Sequence, residues 1–377
     1  GLLAQWLAFI GRYDEARVFA ESVLAEDADA ESPARRNELG GAHIALALID
    51  AGLGRPAAAR AAFAASRDQF RALDSTFMTA STLKWEIIEV AMAYHADDLR
   101  ERQRLLYDYE QSMARMSSFA VFSGTRPLLQ VFGPATLEGR WDDVLEAGQA
   151  YLQVPAWRIS ALAALGEIER LRGDSDDAWG RIRSGIPGGP ATEPGDLYFV
   201  DMLALQRLAA ELCLDTGDLA NGLAWITAHD RWLTWSGRLL NRAQGALLHA
   251  RYHVLRGDLE TAEASTEHAA TLAASPRQPL TLLAVSRMQG ALAIARGHFA
   301  VAEAHLDAAL ALCDACAAPY ERVRTLLEMA VLRQAQNRPE DTASALAEAR
   351  QIATSLRAEL ALQSIAELEA QASASTP

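Results

Sequence analysis

The feature that most constrains this chain is a turn that returns about every 40 residues. It begins at Gly11, Gly54, Gly139, Gly173, Gly217, Gly257 and Gly297, with Asn337 in the same place in an eighth copy. Successive starts lie 43, 85, 34, 44, 40, 40 and 40 residues apart, and the long interval holds a degenerate copy at Ala96 to Asp98. A glycine of this kind ends one helix in the left-handed conformation, and the Asp or Pro that follows suits the start of the next. Seven residues before the turn stands a small side chain, as at Ala4, Ala47, Gly166, Ala210, Ala250, Gly290 and Ala330. Five after it stands another, as at Ala16, Ala59, Ala178, Gly222, Ala262 and Ala302. These columns let paired helices approach closely, while Phe63, Ile182, Ile226, Leu306 and Leu346, nine after the turn, fill the space between pairs. One such hairpin cannot bury its own apolar face, so the copies must stack. The pattern predicts an all-α chain of about nine helical hairpins in one solenoid.

The pattern resembles the tetratricopeptide repeat in a long form of about 40 residues. The resemblance implies a right-handed superhelix in which the first helix of each pair lines an inner groove. From Thr192 onward the stretches EPGD (Glu193 to Asp196), DMLALQRLA (Asp201 to Ala209), HDRWLTWSG (His229 to Gly237), RYH (Arg251 to His253), SPRQP (Ser275 to Pro279) and CDACAAPYE (Cys313 to Glu321) go further. They resemble the repeat region of large LuxR-type transcriptional regulators of the maltose-regulator class, over about residues 190 to 372. Such proteins carry an upstream nucleotide-binding module and a downstream helix-turn-helix. The resemblance therefore implies sensing, autoinhibition or assembly for this stretch, with those domains as neighbours. The opening glycine, followed at once by a helical pattern, suggests a piece of something longer.

Composition removes other classes. Thirty-five basic residues against 49 acidic leave a net charge of −14, which repels nucleic acid and anionic membranes. Lys84, in Leu83-Lys84-Trp85, is the one lysine of the chain. No P-loop can be built around it, and Schiff-base or Ser-x-x-Lys chemistry is excluded unless Lys84 serves alone. Three cysteines, Cys213, Cys313 and Cys316, are too few for a disulfide framework and point to a reducing, cytoplasmic setting. No uncharged apolar run is long enough to span a membrane.

Organisation follows the punctuation. Residues 184–196 hold seven Gly or Pro in thirteen positions and predict a loop, either a surface insertion or a docking lid. It divides an N-terminal array (1–183) from a C-terminal array (197–372), and residues 373–377 read as a linker-like tail.

Enzyme chemistry finds no foothold. His249 and His253 share a helix face at zinc-ligand spacing, but two ligands do not make a site. Cys313 and Cys316 lack a second pair and read as buried thiols. The acid pairs Asp97-Asp98, Asp142-Asp143 and Asp176-Asp177 follow turns, where carboxylates favour a helix N-terminus. We expect no cofactor and no catalysis. Groove-lining positions instead carry Arg207, Glu211, Gln244, Arg251, Arg287, Arg324 and Gln334. Arginine forks grip carboxylate or phosphate in two-pronged fashion, so this ladder is a candidate site for an acidic partner or anionic effector. Trp232, Trp235, Tyr198 and Tyr252 are candidate flat walls for a sugar or peptide. In the competing reading the arginines pair with Glu211, Glu321 and Glu328 and the tryptophans are core. The groove reading expects charge reversal at Arg251 and Arg287 to abolish binding with little change in thermal stability. A free-standing scaffold that assembles other proteins is the alternative function.

Overall fold

A computed structural model describes residues 1–26, 32–115, 132–155 and 157–374. Among these the chain is helical hairpins throughout. The first array pairs α1 (Leu2–Phe9) with α2 (Tyr13–Ala25) and α3 (Pro33–Gly52) with α4 (Pro56–Ala72). Next, α5 (Thr76–Glu86) runs through a π-helical turn (Ile87–Ala91) into α6 (Met92–Tyr94) and pairs with α7 (Leu99–Ala114). α8 (Phe132–Leu137) with α9 (Trp141–Tyr151) and α10 (Arg158–Leu171) with α11 (Ser175–Gly185) complete it. The second array pairs α12 (Phe199–Asp215) with α13 (Leu219–Ser236) and α14 (Arg242–Leu255) with α15 (Leu259–Ala274). It continues with α16 (Pro279–Ala295) against α17 (Phe299–Cys316) and α18 (Pro319–Ala335) against α19 (Pro339–Leu356), and α20 (Glu359–Ala374) covers the last pair. This is the tetratricopeptide-like helical-hairpin solenoid that the repeat pattern predicts.

The local physics is that of the pattern. Every turn glycine named above adopts positive φ, and Asn337 does so at 57°. Asp98, Asp218 and Asp258 cap the following helices, each accepting from the backbone N–H three residues on. The columns seven before and five after the turn are buried, as are Phe63, Ile182, Ile226, Leu306 and Leu346 nine after it.

Long-range packing adds what the repeat alone does not specify. The superhelix winds tightly enough that the turns of the first array dock on the junctions of the second. Gly11 lies on the ring of Phe199, and the Gly52 carbonyl accepts from the amides of Leu239 and Leu240 at 2.8 and 3.0 Å. Arg277 pairs with Asp97 at 2.6 Å, and the fully buried Arg102 donates to the Cys316 carbonyl at 3.1 Å. Gly139 sits against Leu356 and Pro319, and Gly173 against Glu359. These contacts hold the first array against the second.

The Gly/Pro-rich stretch begins as the last two residues of α11 and then runs as a loop with one short 3-10 turn at Gly189–Ala191. It is tied down: Arg231 donates to the carbonyls of Pro190 and Thr192, and the Trp232 indole N–H to that of Thr192 at 2.9 Å. One core cluster runs across it, joining Leu162, Ala178 and Ile182 to Phe199, Leu208 and Trp225. At the other end α20 extends to Ala374, two residues into the expected tail, and Ser375 to Pro377 lie outside the described residues.

Candidate binding site inside the superhelix

Some of the groove positions meet, directly or through a shared carboxylate. Arg207 and Glu211 lie on α12, Gln244 and Arg251 on α14, Arg287 on α16, and Arg324 and Gln334 on α18, each the first helix of its hairpin. Glu167, Glu211 and Arg251 stand six residues before three successive turn glycines, so stacking sets them side by side. Arg251 pairs with Glu211 and, at 2.6 Å, with Asp215. Arg170 of α10 reaches the same two carboxylates at 3.2 and 2.8 Å and Glu167 at 3.2 Å. Farther along, Glu321 receives Arg287 at 2.5 Å and Arg324 at 3.3 Å. Burial alone would raise the Glu321 carboxyl, but these two guanidiniums outweigh it and hold it at about 2.

Most of the ladder is therefore internally neutralised, and one expectation changes. Reversing charge at Arg251 puts a third carboxylate beside Glu211 and Asp215, and at Arg287 a second beside Glu321. Both changes destabilise the fold, so the thermal transition does not stay put; a thermal scan of Arg251→Glu checks this, with a lowered midpoint expected. The physical reason is that Arg251, half-buried, and Arg287, buried, are counter-ions rather than free forks.

Arg207 is different. No carboxylate pairs with it among the described residues, and its Nη1 lies 3.4 Å from His229 Nε2. Burial, with Arg238 nearby, lowers the guanidinium to about 10. His229 is fully buried and burial holds it neutral, down to about 4, so its Nε2 can accept. Gln244 Oε1, a buried acceptor, has no hydrogen-bond partner. Among the described residues Arg207 is thus the ladder arginine without a carboxylate partner, and Gln244 Oε1 is one of several buried acceptors left unmet.

The aromatic walls do not form. Trp232 is fully buried and stacks on Phe199 at 5.8 Å; Tyr252 is buried in the same core cluster. Trp235, on the second helix of its hairpin, is 45% exposed, with its ring stacked on Phe199 at 6.3 Å and close to Gly195. Tyr198 packs against Trp6 and Phe9 at the seam between the arrays. Sequence reasoning missed Arg170, Asp215 and His229; the column six before the turn, with Glu167, Glu211 and Arg251, signals charges that need partners but does not contain those partners.

The remaining candidates separate. His249 bonds Asp230 at 2.8 Å, whereas His253 faces Asp258 at 3.4 Å. Cys313 and Cys316 are buried, and burial pushes their thiols up to about 11 and about 12. Among the described residues no group of three or more His, Cys, Asp and Glu could hold a metal ion, and no helix is long and apolar enough to cross a membrane.

No family model matches the chain, and no curated protein matches it. Similar solved structures include a chain of the crystal structure of the APC/C hetero-tetramer Cut9-Hcn1, 16% identical, with a TM-score of 0.38 over 93% of this chain and 80% of that one.

Proposed function

We propose that this chain is a non-catalytic binding module, the sensor and interaction region of a LuxR-type transcriptional regulator, which takes a small anionic effector into the interior of its superhelix. The observation that carries the reading is Arg207, a groove-position cation left without a carboxylate partner among the described residues, where the other arginines of the ladder are paired. An anion there gains a charge-assisted hydrogen bond that no side chain of the protein supplies. Occupancy would tighten the contact between successive coils and so bias how neighbouring nucleotide-binding and helix-turn-helix domains assemble. A cytoplasmic location and a protein partner on the outer face go with this reading.

A thermal-shift screen against dicarboxylates and sugar phosphates tests it. We expect at least one compound to raise the midpoint, and Arg207→Met to remove that response while leaving the unliganded midpoint nearly unchanged. A response that survives in Arg207→Met sinks the interior site. The regulator context has its own test in the reading frame on either side of the chain. A nucleotide-binding module before it and a helix-turn-helix after it are expected; their absence favours a free-standing scaffold. Trp6, Trp235 and Leu239, each at least 45% exposed near the seam, are the surface such a scaffold would use.

A further inference from the structure

Glycine inside a helix destabilises it relative to alanine, so each one needs a physical reason. For Gly148, Gly166, Gly185, Gly222, Gly245 and Gly290 the reason is crowding, because an added Cβ would lie 3.2 Å or closer to a neighbouring side chain. Gly180, in the middle of α11, has no such neighbour: nothing lies within 4 Å of its Cβ position. It borders a pocket of about 410 Å³ between the α9–α10 loop, α10 and α11. Small-molecule sites span roughly 300–1,000 Å³, so a small ligand fits. Asp177 and Ser184 stand on the Gly180 face of α11 by their spacing of three and four, and Arg158 and Leu162 share a face of α10. Leu152, from the loop, completes an apolar side. Arg158 donates from Nη2 to the Ser184 hydroxyl at 2.5 Å and pairs with no carboxylate among the described residues. Asp177 makes no hydrogen bond or ion pair among them. Arg181, on the same pocket, is already engaged: its guanidinium holds Glu169 through three hydrogen bonds of 2.6–3.1 Å.

One pocket thus presents a guanidinium, a carboxylate and an apolar side, with a glycine where any side chain would intrude. The two charges do not pair with each other, which leaves a separation that a zwitterion spans. We propose that this pocket binds a free α-amino acid with an apolar side chain. Its carboxylate lies on Arg158, its ammonium on Asp177 and its side chain against Leu152 and Leu162. The Ser184 oxygen accepts from Arg158, so its hydroxyl hydrogen is free to donate to the same carboxylate. A simple anion would be repelled by Asp177 and a simple cation by Arg158, whereas a ligand carrying both charges close together is matched twice. Within a peptide those two charges are lost or held apart, which favours the free amino acid. Helix-end electrostatics account for an acid in the first turn of α11, but Asp176 meets that need as well as Asp177 does. The pocket shares no residue with the ladder, so it stands apart from the Arg207 reading.

Isothermal titration calorimetry with the common L-amino acids, added singly to the protein, tests it. Leucine, isoleucine, valine or methionine should bind with a Kd below about 1 mM. Isocaproate and isoamylamine, which each keep one of leucine's two charges, should bind at least ~10-fold more weakly than leucine. Arg158→Met and Asp177→Asn should each lose at least ~10-fold in affinity, and Gly180→Leu should abolish binding. Leucine is the better helix former and its side chain enters open space, so the thermal midpoint of Gly180→Leu should not fall. That readout separates a filled pocket from a damaged fold. The proposal falls if no apolar amino acid binds, or if isocaproate binds as tightly as leucine. It falls equally if Gly180→Leu, Arg158→Met or Asp177→Asn keeps the wild-type affinity. Should Gly180→Leu lose its fold, the two charge variants and the one-charge analogues decide.

Discussion

Arg238→Met should lower the unfolding free energy by about 3–5 kcal/mol, read from urea denaturation, because it strands a buried carboxylate at the seam between the two arrays. Arg238 and Glu89 are each 1% exposed and pair at 2.7 Å, and Arg238 also donates to the Tyr13 hydroxyl at 2.7 Å. The three residues come from the α13–α14 junction, the π turn and the start of α2. Burial opposes the charge on Arg238, but Glu89 and Tyr13 outweigh it and hold the guanidinium protonated beyond its ordinary range. Removing the cation leaves Glu89 with neither solvent nor partner. Tyr13→Phe, which deletes one hydrogen bond and leaves the ion pair whole, should cost only about 1 kcal/mol. Pairing Arg238→Met with Glu89→Leu should recover much of the loss, since apolar groups of similar volume often replace a buried pair at little cost. Equal losses in the single and paired variants would mean that packing, and not the stranded charge, dominates.

That seam marks the limit of what the sequence made legible. The hairpins were legible because turn and helix packing recur: Gly257 and Gly297 repeat one backbone conformation, and Ala262 and Ala302 one helix contact. The ladder was legible in part. Its arginines stand on the expected first helices, but whether a guanidinium faces solvent or a carboxylate depends on the neighbouring repeat's register, and Arg170 and Asp215 supplied partners that the reading did not include. Trp232 looked like a wall and is core, because one-dimensional spacing does not distinguish the two sides of a second helix. Contacts between coils left no periodic trace. Arg238 and Tyr13 are 225 residues apart, and nothing in either local pattern points to the other. Lys84 was visible by its rarity, while the meeting of Ser160 with Asp201 was not.

Substituting alanine at equivalent turns turns this coil-on-coil docking into a measurement. Gly11 and Gly257 occupy the same place in their repeats, with φ of 85° and 74°. An L side chain at either must adopt the left-handed conformation, which costs about 1–2 kcal/mol. At Gly257 nothing lies within 4 Å of the added Cβ, so Gly257→Ala should cost no more than that. At Gly11 the Cβ would come within 2.5 Å of the Phe199 ring. That ring is fully buried and stacked on Trp232, so it has nowhere to retreat. Overpacking of this kind adds about 1–3 kcal/mol, and Gly11→Ala should lose about 2–5 kcal/mol in all. Gly139→Ala, with Leu356 at 2.8 Å, should behave like Gly11→Ala. Urea midpoints for the three variants check the order. If Gly11→Ala and Gly257→Ala lose the same amount, the first array does not rest on the second in solution.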